Sequence, residues 1–453
     1  MLPPPRLRRS AALALVAAAT LATVAACGGA APPARRQPAP PAAAPSALVA
    51  TPVRVPADLA RAPFDQPRQA LVPDGWTIEV WARVPGARLA AWTPDGALLV
   101  SRPGAGQVVK LTPDGSGGAT TSLLLDGLTQ PHGLAFDGGT LYVAESDRLD
   151  AYRYVGGAAT GRRVIVDDLP DAKGEGLGGA YAHALKSVAV GPDKAVYFSI
   201  GSTGNISGDD REKAPQRASI MRVPPGGGAA TVFSLGVRNG TGLAVAPDGS
   251  VWTAVNNRDN IEYPHDRPFD GSGSAQGKVV ADYVADHPPE ELARLTAGRD
   301  LGWPYCNPDP DVDPGAPGSA QNDASPPFVR DVQNNPDGDR LDCAALPRIE
   351  RTFGAHSAPL GMTFTTLPGA FGEGALVGVH GSWNRQPPRA PEVSFFPWRG
   401  GTLGPQHTVV GGFQAADGSR WGRPVAAVPG PDGAVYVTDD GAGVVYRLAP
   451  PSG

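Results

Sequence analysis

Leu89-Ala-Ala-Trp-Thr-Pro-Asp-Gly-Ala-Leu-Leu-Val100 is an apolar alternating run, a Pro-Asp-Gly turn and a second apolar run. Alternation on both sides of a tight turn reads as a β-hairpin. The phrase recurs as Gly133-Leu-Ala-Phe-Asp-Gly-Gly-Thr-Leu-Tyr-Val143, Ser187-Val-Ala-Val-Gly-Pro-Asp-Lys-Ala-Val-Tyr-Phe198 and Gly242-Leu-Ala-Val-Ala-Pro-Asp-Gly-Ser-Val-Trp252. It returns again as Gly361-Met-Thr-Phe with Gly374-Ala-Leu-Val-Gly-Val379, and as Val425-Ala-Ala-Val-Pro-Gly-Pro-Asp-Gly-Ala-Val-Tyr-Val437. One hairpin cannot bury its apolar face, so a hairpin repeated at regular spacing signals a propeller or array. The turns stand near residues 94, 137, 192, 247, 370 and 431, at intervals of 43 to 61 residues except the fourth, which is twice as long. A four-stranded blade takes roughly 40 to 50 residues. The chain is therefore predicted to be all-β, a six-bladed β-propeller over 71–450.

The excess of the fourth interval falls in 260–356 and reads as an insertion over one face of the propeller. Within it Glu290-Glu-Leu-Ala-Arg-Leu295 predicts a short helix, and Asn307 to Asp342 is rich in Pro, Asp and Gly. Long insertions in compact domains usually carry function. Trp76-Thr-Ile-Glu-Val-Trp81 precedes the first copy and Gly443-Val-Val-Tyr-Arg-Leu448 follows the last. Pairing of these two strands would close the ring and remove its free edges.

The chain opens with Arg6, Arg8 and Arg9, continues through apolar Ala11 to Val24, and reaches Val24-Ala-Ala-Cys27. A charged start, a short apolar stretch and small residues read as a secretory signal. With a cysteine directly after them, 1–27 resembles a bacterial lipoprotein signal, with Cys27 the lipidated residue. An ordinary signal peptide cut nearby is the alternative. Residues 28–70 hold ten prolines among Ala, Arg and Gln, which predicts a disordered tether. The expected location is extracytoplasmic, on a bacterial membrane through the lipid anchor only. Cys306 and Cys343 remain, and in an oxidising compartment such a pair is expected to bond. The net charge of −5 and the lack of a basic run past the signal argue against a nucleic-acid partner.

Just before the first strand of each copy stands a basic or imidazole residue: Arg88, His132, His183 with Lys186, Arg238, His356, and Arg420 with Arg423. Equivalent positions in six blades converge on the channel, so these residues predict a positive ring and an anionic ligand. His183 is set apart, because histidine is the side chain most readily poised as a base near neutral pH.

From about Leu71 to Leu448 the chain resembles the soluble glucose dehydrogenase and sorbosone dehydrogenase family of quinoproteins. The matching motifs begin with Gln130-Pro-His-Gly-Leu-Ala-Phe136, His183 ahead of Gly191-Pro-Asp193, and Gly236-Val-Arg-Asn-Gly-Thr-Gly-Leu-Ala244. They continue with Leu301-Gly-Trp-Pro-Tyr-Cys306, Gly354-Ala-His-Ser-Ala-Pro-Leu-Gly361, His380-Gly-Ser-Trp-Asn-Arg385 and Trp421-Gly-Arg-Pro424. Gly302-Trp-Pro-Tyr-Cys306, Ala355-His-Ser-Ala-Pro-Leu-Gly361 and His380-Gly-Ser-Trp-Asn-Arg385 point to the sorbosone-dehydrogenase-like branch. The resemblance implies a six-bladed propeller that uses pyrroloquinoline quinone with Ca²⁺ and oxidises a sugar or aldehyde. It makes His183 the general base. It places Arg238, Asn239, Arg423 and Gln130 at the quinone, and implies calcium on backbone carbonyls of the loop Asn256-Asn-Arg-Asp259, chiefly Asn257 and Arg258. Where the glucose enzymes have a lysine at the quinone, this chain has Val379-His-Gly381, so His380 or Arg385 would carry that charge. No Cys-x-x-Cys-His haem motif is present, so an external acceptor, a cytochrome or a membrane quinone, would take the electrons. Two other readings stay open: a non-catalytic binding propeller, and a calcium-dependent lactonase-type hydrolase, whose site would gather acidic and amide ligands from several blades.

Overall fold

The computed structural model describes residues 47–171, 181–309 and 325–451; the signal segment and Cys27 lie outside them. The six hairpins become the two inner strands of six antiparallel sheets. Their first strands are Ala90–Trp92, Gly133–Asp137, Val188–Val190, Gly242–Val245, Pro359–Leu367 and Pro424–Pro429, opening blades one to six. Each first strand packs beside the next, and the sixth returns to the first. Ring closure is as the sequence implied: Thr77–Arg83 pairs with Val444–Ala449 and becomes the outer strand of blade six.

The repeated Gly-Leu-Ala opening has a packing cause. A Cβ on Gly133 would lie 2.6 Å from the Val188 backbone nitrogen, and one on Gly242 would lie 2.6 Å from the Leu360 carbonyl oxygen. Inner strands approach that closely only because no side chain stands there. Six apolar clusters fill the gaps between successive blades. Leu99, Val108, Leu134 and Val143 join blades one and two, and Trp81, Val445, Leu98 and Val100 join six to one. At that last junction Tyr436 meets Trp81 and Trp92 edge-on, at centroid distances of 4.7 and 4.9 Å.

Three expectations are corrected. Glu290–Leu295 is the third strand of blade four, paired with Val251–Val255. Its helix-forming composition is overridden by pairing that buries Leu292, Ala293 and Leu295. The α-helix of this region is Ala281–Asp286. The excess at 260–356 is accordingly two excursions, on either side of that strand, and the blade's outer strand is Arg351–Phe353. A piece of the second excursion, Arg299–Asp300, adds a parallel fifth strand to blade three. Finally, residues 28–46 of the expected tether lie outside the described residues, and the rest of it is structured. Leu48–Pro52 pairs with Gln69–Pro73, and Leu71 bridges to Gly411 beside blade five. Val53, Ala70 and Val72 are buried in the cluster between blades five and six, so apolar burial overcomes the proline content. Among the described residues no helix is long and apolar enough to cross a membrane.

Cys306 and Cys343 form a disulfide with Cα atoms 5.6 Å apart, 37 residues apart in sequence. Closing a loop of that size removes denatured-state entropy worth about 3–4 kcal/mol. Replacing both cysteines by serine is expected to lower the free energy of unfolding in urea by about that amount, and an unchanged midpoint would exclude the loop-closure account.

Candidate functional site

In each blade the start of the first strand pairs with the end of the second, as in Ala90 with Val100, Gly133 with Ala144 and Gly242 with Ala254. The residues before the first strand and those after the second therefore share one rim of the channel. Two groups of polar side chains stand there.

The first spans blades three to five. His183 Nδ1 lies 2.8 Å from Ser202 Oγ and 3.1 Å from the Ser202 carbonyl. Ser202 Oγ donates to the Gly204 carbonyl at 2.7 Å, so toward the imidazole both Ser202 oxygens accept. Nδ1 must then carry the proton, and Nε2 holds the lone pair. Burial, with the Arg238 guanidinium nearby, pushes the His183 pKa down to about 3, so the ring is neutral at ordinary pH. A Cβ on Gly201 would lie 2.6 Å from His183 Cβ and 3.2 Å from Asn239 Oδ1. Glycine there lets the imidazole and the amide draw together.

Arg238 is the centre of this group and is only 4% exposed. Its guanidinium donates to the carbonyls of Asn205 at 3.1 Å, Asn256 at 3.1 Å and Asn257 at 2.6 Å, and to Asn205 Oδ1 at 3.0 Å. Its Nη2 is 3.9 Å from the Asp259 carboxylate. Asp259 in turn bonds His356 Nδ1 at 3.2 Å, while His356 Nε2 donates to the Val284 carbonyl at 2.7 Å. Beneath the loop, the Asn257 backbone N–H donates to Glu290, and Asn257 Nδ2 donates to Glu291 at 3.0 Å. Arg258 is buried in an ion pair with Asp331 and donates to Gln333 at 3.0 Å, tying the loop to the disulfide-bearing segment.

The second group spans blades five, six and one. Asp440 accepts from Arg88 at 2.8 Å and from His380 Nε2 at 2.7 Å. Burial opposes its charge, but these partners prevail and hold its pKa down to about 2. Arg423 Nε donates to the His380 carbonyl at 3.1 Å. Its two terminal nitrogens have no partner among the described residues, and the same holds for the amides of Asn239 and Gln130.

Other residues of the expected ring are turned to structural work. Lys186 is fully buried and donates to the carbonyls of Ser146, Pro170 and Ala184. Burial brings its pKa down to about 7. Arg420 donates to Gln414 at 2.8 Å and to the Ser382 carbonyl. Arg385 donates to the Ala285 carbonyl at 2.7 Å and to Asp286 at 2.6 Å. His132 is buried with its pKa pushed down to about 3 by desolvation and by Arg88. The rim is thus less cationic than expected, and it contains two carboxylates, Asp259 and Asp440. Sequence reading missed Asp440, Ser202, Asn205 and Glu290. Asp440 and Ser202 were accessible, since both follow the second strand of a hairpin by one or two residues.

Glu291 is enclosed, its Oε2 makes no hydrogen bond, and burial pushes its pKa up to about 8 from 4.5. Between those values the folded chain keeps a proton that the unfolded chain has lost, so stability falls as pH rises through that window. Glu291→Gln is expected to flatten the decline in melting temperature between pH 5 and 8; an unchanged slope would assign it to other groups.

The comparisons with known proteins agree with the propeller fold. A family profile described as TrAA12-like matches residues 70–450. The chain belongs to the TrAA12-like family. Among solved structures it is similar to the holo form of the pyranose dehydrogenase PQQ domain from Coprinopsis cinerea, with 20% identity, a TM-score of 0.66, and coverage of 84% of this chain and 97% of that one. The calcium structure of the Carbohydrate-Active Enzymes Family AA12 protein from Trichoderma reesei gives the same values. A soluble aldose sugar dehydrogenase from Escherichia coli, in its apo-form, is 14% identical with a TM-score of 0.51, over 83% of this chain and 99% of that one. A curated protein from Borreliella burgdorferi, described as uncharacterized, is 32% identical over 99 residues, which make up 21% of this chain and 26% of the relative's length.

Pyrroloquinoline quinone, with its three carboxylates, fits the donor set at this rim. Arg423 offers a fork of N–H groups, held at Nε and packed at Cγ 3.1 Å from where a Cβ on Gly441 would stand. The open amides of Asn239 and Gln130 add directional donors. A divalent cation on the Asn257 and Arg258 carbonyls fits poorly. The Arg238 guanidinium already lies 2.6 Å from the Asn257 oxygen, and a second cation there would face it. Among the described residues no group of three or more His, Cys, Asp or Glu side chains is arranged to hold a metal.

Proposed function

We propose that this protein is a quinoprotein dehydrogenase that oxidises a sugar or related aldehyde, with His183 as general base. The observation that carries the reading is the neutral imidazole of His183, fixed at Nδ1 by Ser202 and open at Nε2. Arg423, Asn239 and Gln130 would hold the quinone, with His380 positioning Arg423 through its carbonyl. Pyrroloquinoline quinone, when bound, supplies the two-electron oxidation.

His183 Nε2 takes the proton of the substrate hydroxyl. The imidazolium so formed is stabilised at Nδ1–H by the two Ser202 oxygens, which hold the ring in one orientation throughout. Arg238 has a different task. It fastens the 205 and 256–259 loops in place beside His183, and its charge adds to burial in keeping the resting imidazole deprotonated. The lactonase-type alternative needs an open cluster of acidic and amide ligands; here a guanidinium fills the place between Asn205, Asn257 and Asp259.

The sequence around Cys27 supports export and lipid attachment, which would present the propeller to an external acceptor such as a cytochrome or a membrane quinone. The test is direct. The chain from residue 28 onward is mixed with pyrroloquinoline quinone, with and without Ca²⁺. Bound-quinone absorbance and dye reduction are then measured over a panel of aldoses and aldehydes, sorbosone included. Absence of bound quinone under both conditions would sink the reading, and bound quinone without turnover would favour a binding propeller.

A further inference from the structure

The motif His380-Gly-Ser-Trp-Asn-Arg385 gives His380 to the rim, but Trp383 and Asn384 have no task there. Trp383 is 73% exposed, the most exposed of the large apolar side chains among the described residues. Every other tryptophan is buried or half-buried. Trp383 lines a groove of about 340 Å³ together with Asn260, Asp282, Asn384, Arg385 and Gln386. Val279, itself exposed, adds apolar surface to the same groove.

The groove is ordered by its own contacts. Asn384 Nδ2 donates to Asn260 Oδ1 at 3.1 Å, and Arg385 is fixed by Asp286 and the Ala285 carbonyl. It also adjoins the site. Asn260 directly follows Asp259, and Val284, another lining residue, accepts the hydrogen bond from His356 Nε2. Trp383 stands three residues after His380.

We propose that this groove binds a pyranose ring of an oligosaccharide, one unit beyond the ring that is oxidised. The proposal rests on the reading of the substrate as a sugar. A pyranose has an apolar C–H face and a rim of hydroxyls. An exposed indole offers a flat face to the first, and amide, carboxylate and guanidinium groups offer paired hydrogen bonds to the second. One carboxylate, Asp282, and one already paired arginine leave little net charge, which suits a neutral ligand. The volume lies in the range of small-molecule sites, roughly 300–1,000 Å³. A transiently docked electron-carrier protein would bury a small patch, under about 600 Å² on each partner, and the acceptor KM distinguishes that occupant.

The experiment has two arms. In the first, steady-state kinetics compare glucose with maltose and cellobiose in the wild type and in Trp383→Ala. The variant is expected to raise KM for a disaccharide about tenfold, as loss of an aromatic contact would, with kcat and the glucose KM unchanged. Trp383→Phe should restore most of the affinity. Equal KM values for mono- and disaccharides in wild type and variant would overturn the proposal, and so would a rise in KM for the electron acceptor alone. In the second arm, the quinone-free protein is titrated calorimetrically with maltotriitol and cellotriitol, which have no reducing end. Binding by the wild type and its loss in Trp383→Ala would uphold the groove even if no sugar were oxidised, whereas no binding of either alditol would overturn it.

Discussion

His183→Ala is expected to lower kcat by about 10²- to 10⁴-fold, the range a positioned general base supplies, while leaving the quinone bound. The expectation rests on the tautomer. Because both Ser202 oxygens accept from Nδ1, the lone pair is confined to Nε2, and no ring flip is needed before a proton is taken. The pH profile is the sharper test. A base works when deprotonated, and desolvation together with Arg238 pushes His183 to about pKa 3, below its ordinary 6.5. The acid limb of kcat/KM should therefore fall near pH 3 to 4, not near 6.5, and activity should be level across neutrality. A limb at 6.5 would mean that the catalytic base is a different or far better solvated group. Gly201→Ala is expected to act on the same atoms from behind, since the new methyl would fall 2.6 Å from His183 Cβ. It should depress kcat more than quinone affinity.

The parts of this protein that repeat were legible, and the parts that occur once were not. Hairpins announce themselves through period-two alternation around Pro-Asp-Gly turns, and six of them gave the propeller, its closing strand and the entrance positions. Glu290–Leu295 failed because its local composition favours helix, whereas its conformation is decided by pairing with Val251–Val255, forty residues earlier. Lys186 and Arg420 failed for a related reason. Position in a repeat places a residue at the rim, but cannot say whether a long side chain reaches into the channel or folds back onto carbonyls. Asp440 shows the complementary oversight, since the second strand of each hairpin ends at the same rim as the first begins, and those exits supply Ser202, Asn256, His380 and Asp440. Counting both sides of the hairpin would have revealed a mixed rim of arginines, amides and carboxylates rather than a positive ring.

Arg238→Ala is expected to cost about 3–5 kcal/mol of stability, the scale for stripping one partner from a buried charged network, and to weaken quinone binding indirectly, by loosening the adjoining Asn239. The side chain is only 4% exposed and satisfies the Asn205, Asn256 and Asn257 carbonyls and Asn205 Oδ1 at once. Its loss leaves those buried and half-buried acceptors unpaired and removes a guanidinium 3.9 Å from Asp259. Lysine should not rescue, because an ammonium cannot span carbonyls that a planar fork reaches from two edges. Urea unfolding and quinone absorbance measure the two losses separately. Calcium then distinguishes the role of this arginine. In the variant the freed carbonyls of Asn256 and Asn257 lie near a carboxylate, the oxygen-rich setting a hard cation prefers. Added Ca²⁺ should therefore raise the melting temperature of Arg238→Ala more than that of the wild type, where the guanidinium already occupies those oxygens. An equal or larger Ca²⁺ shift in the wild type would show that the metal binds this loop beside the arginine, and the account of Arg238 as the loop's own cation would fall.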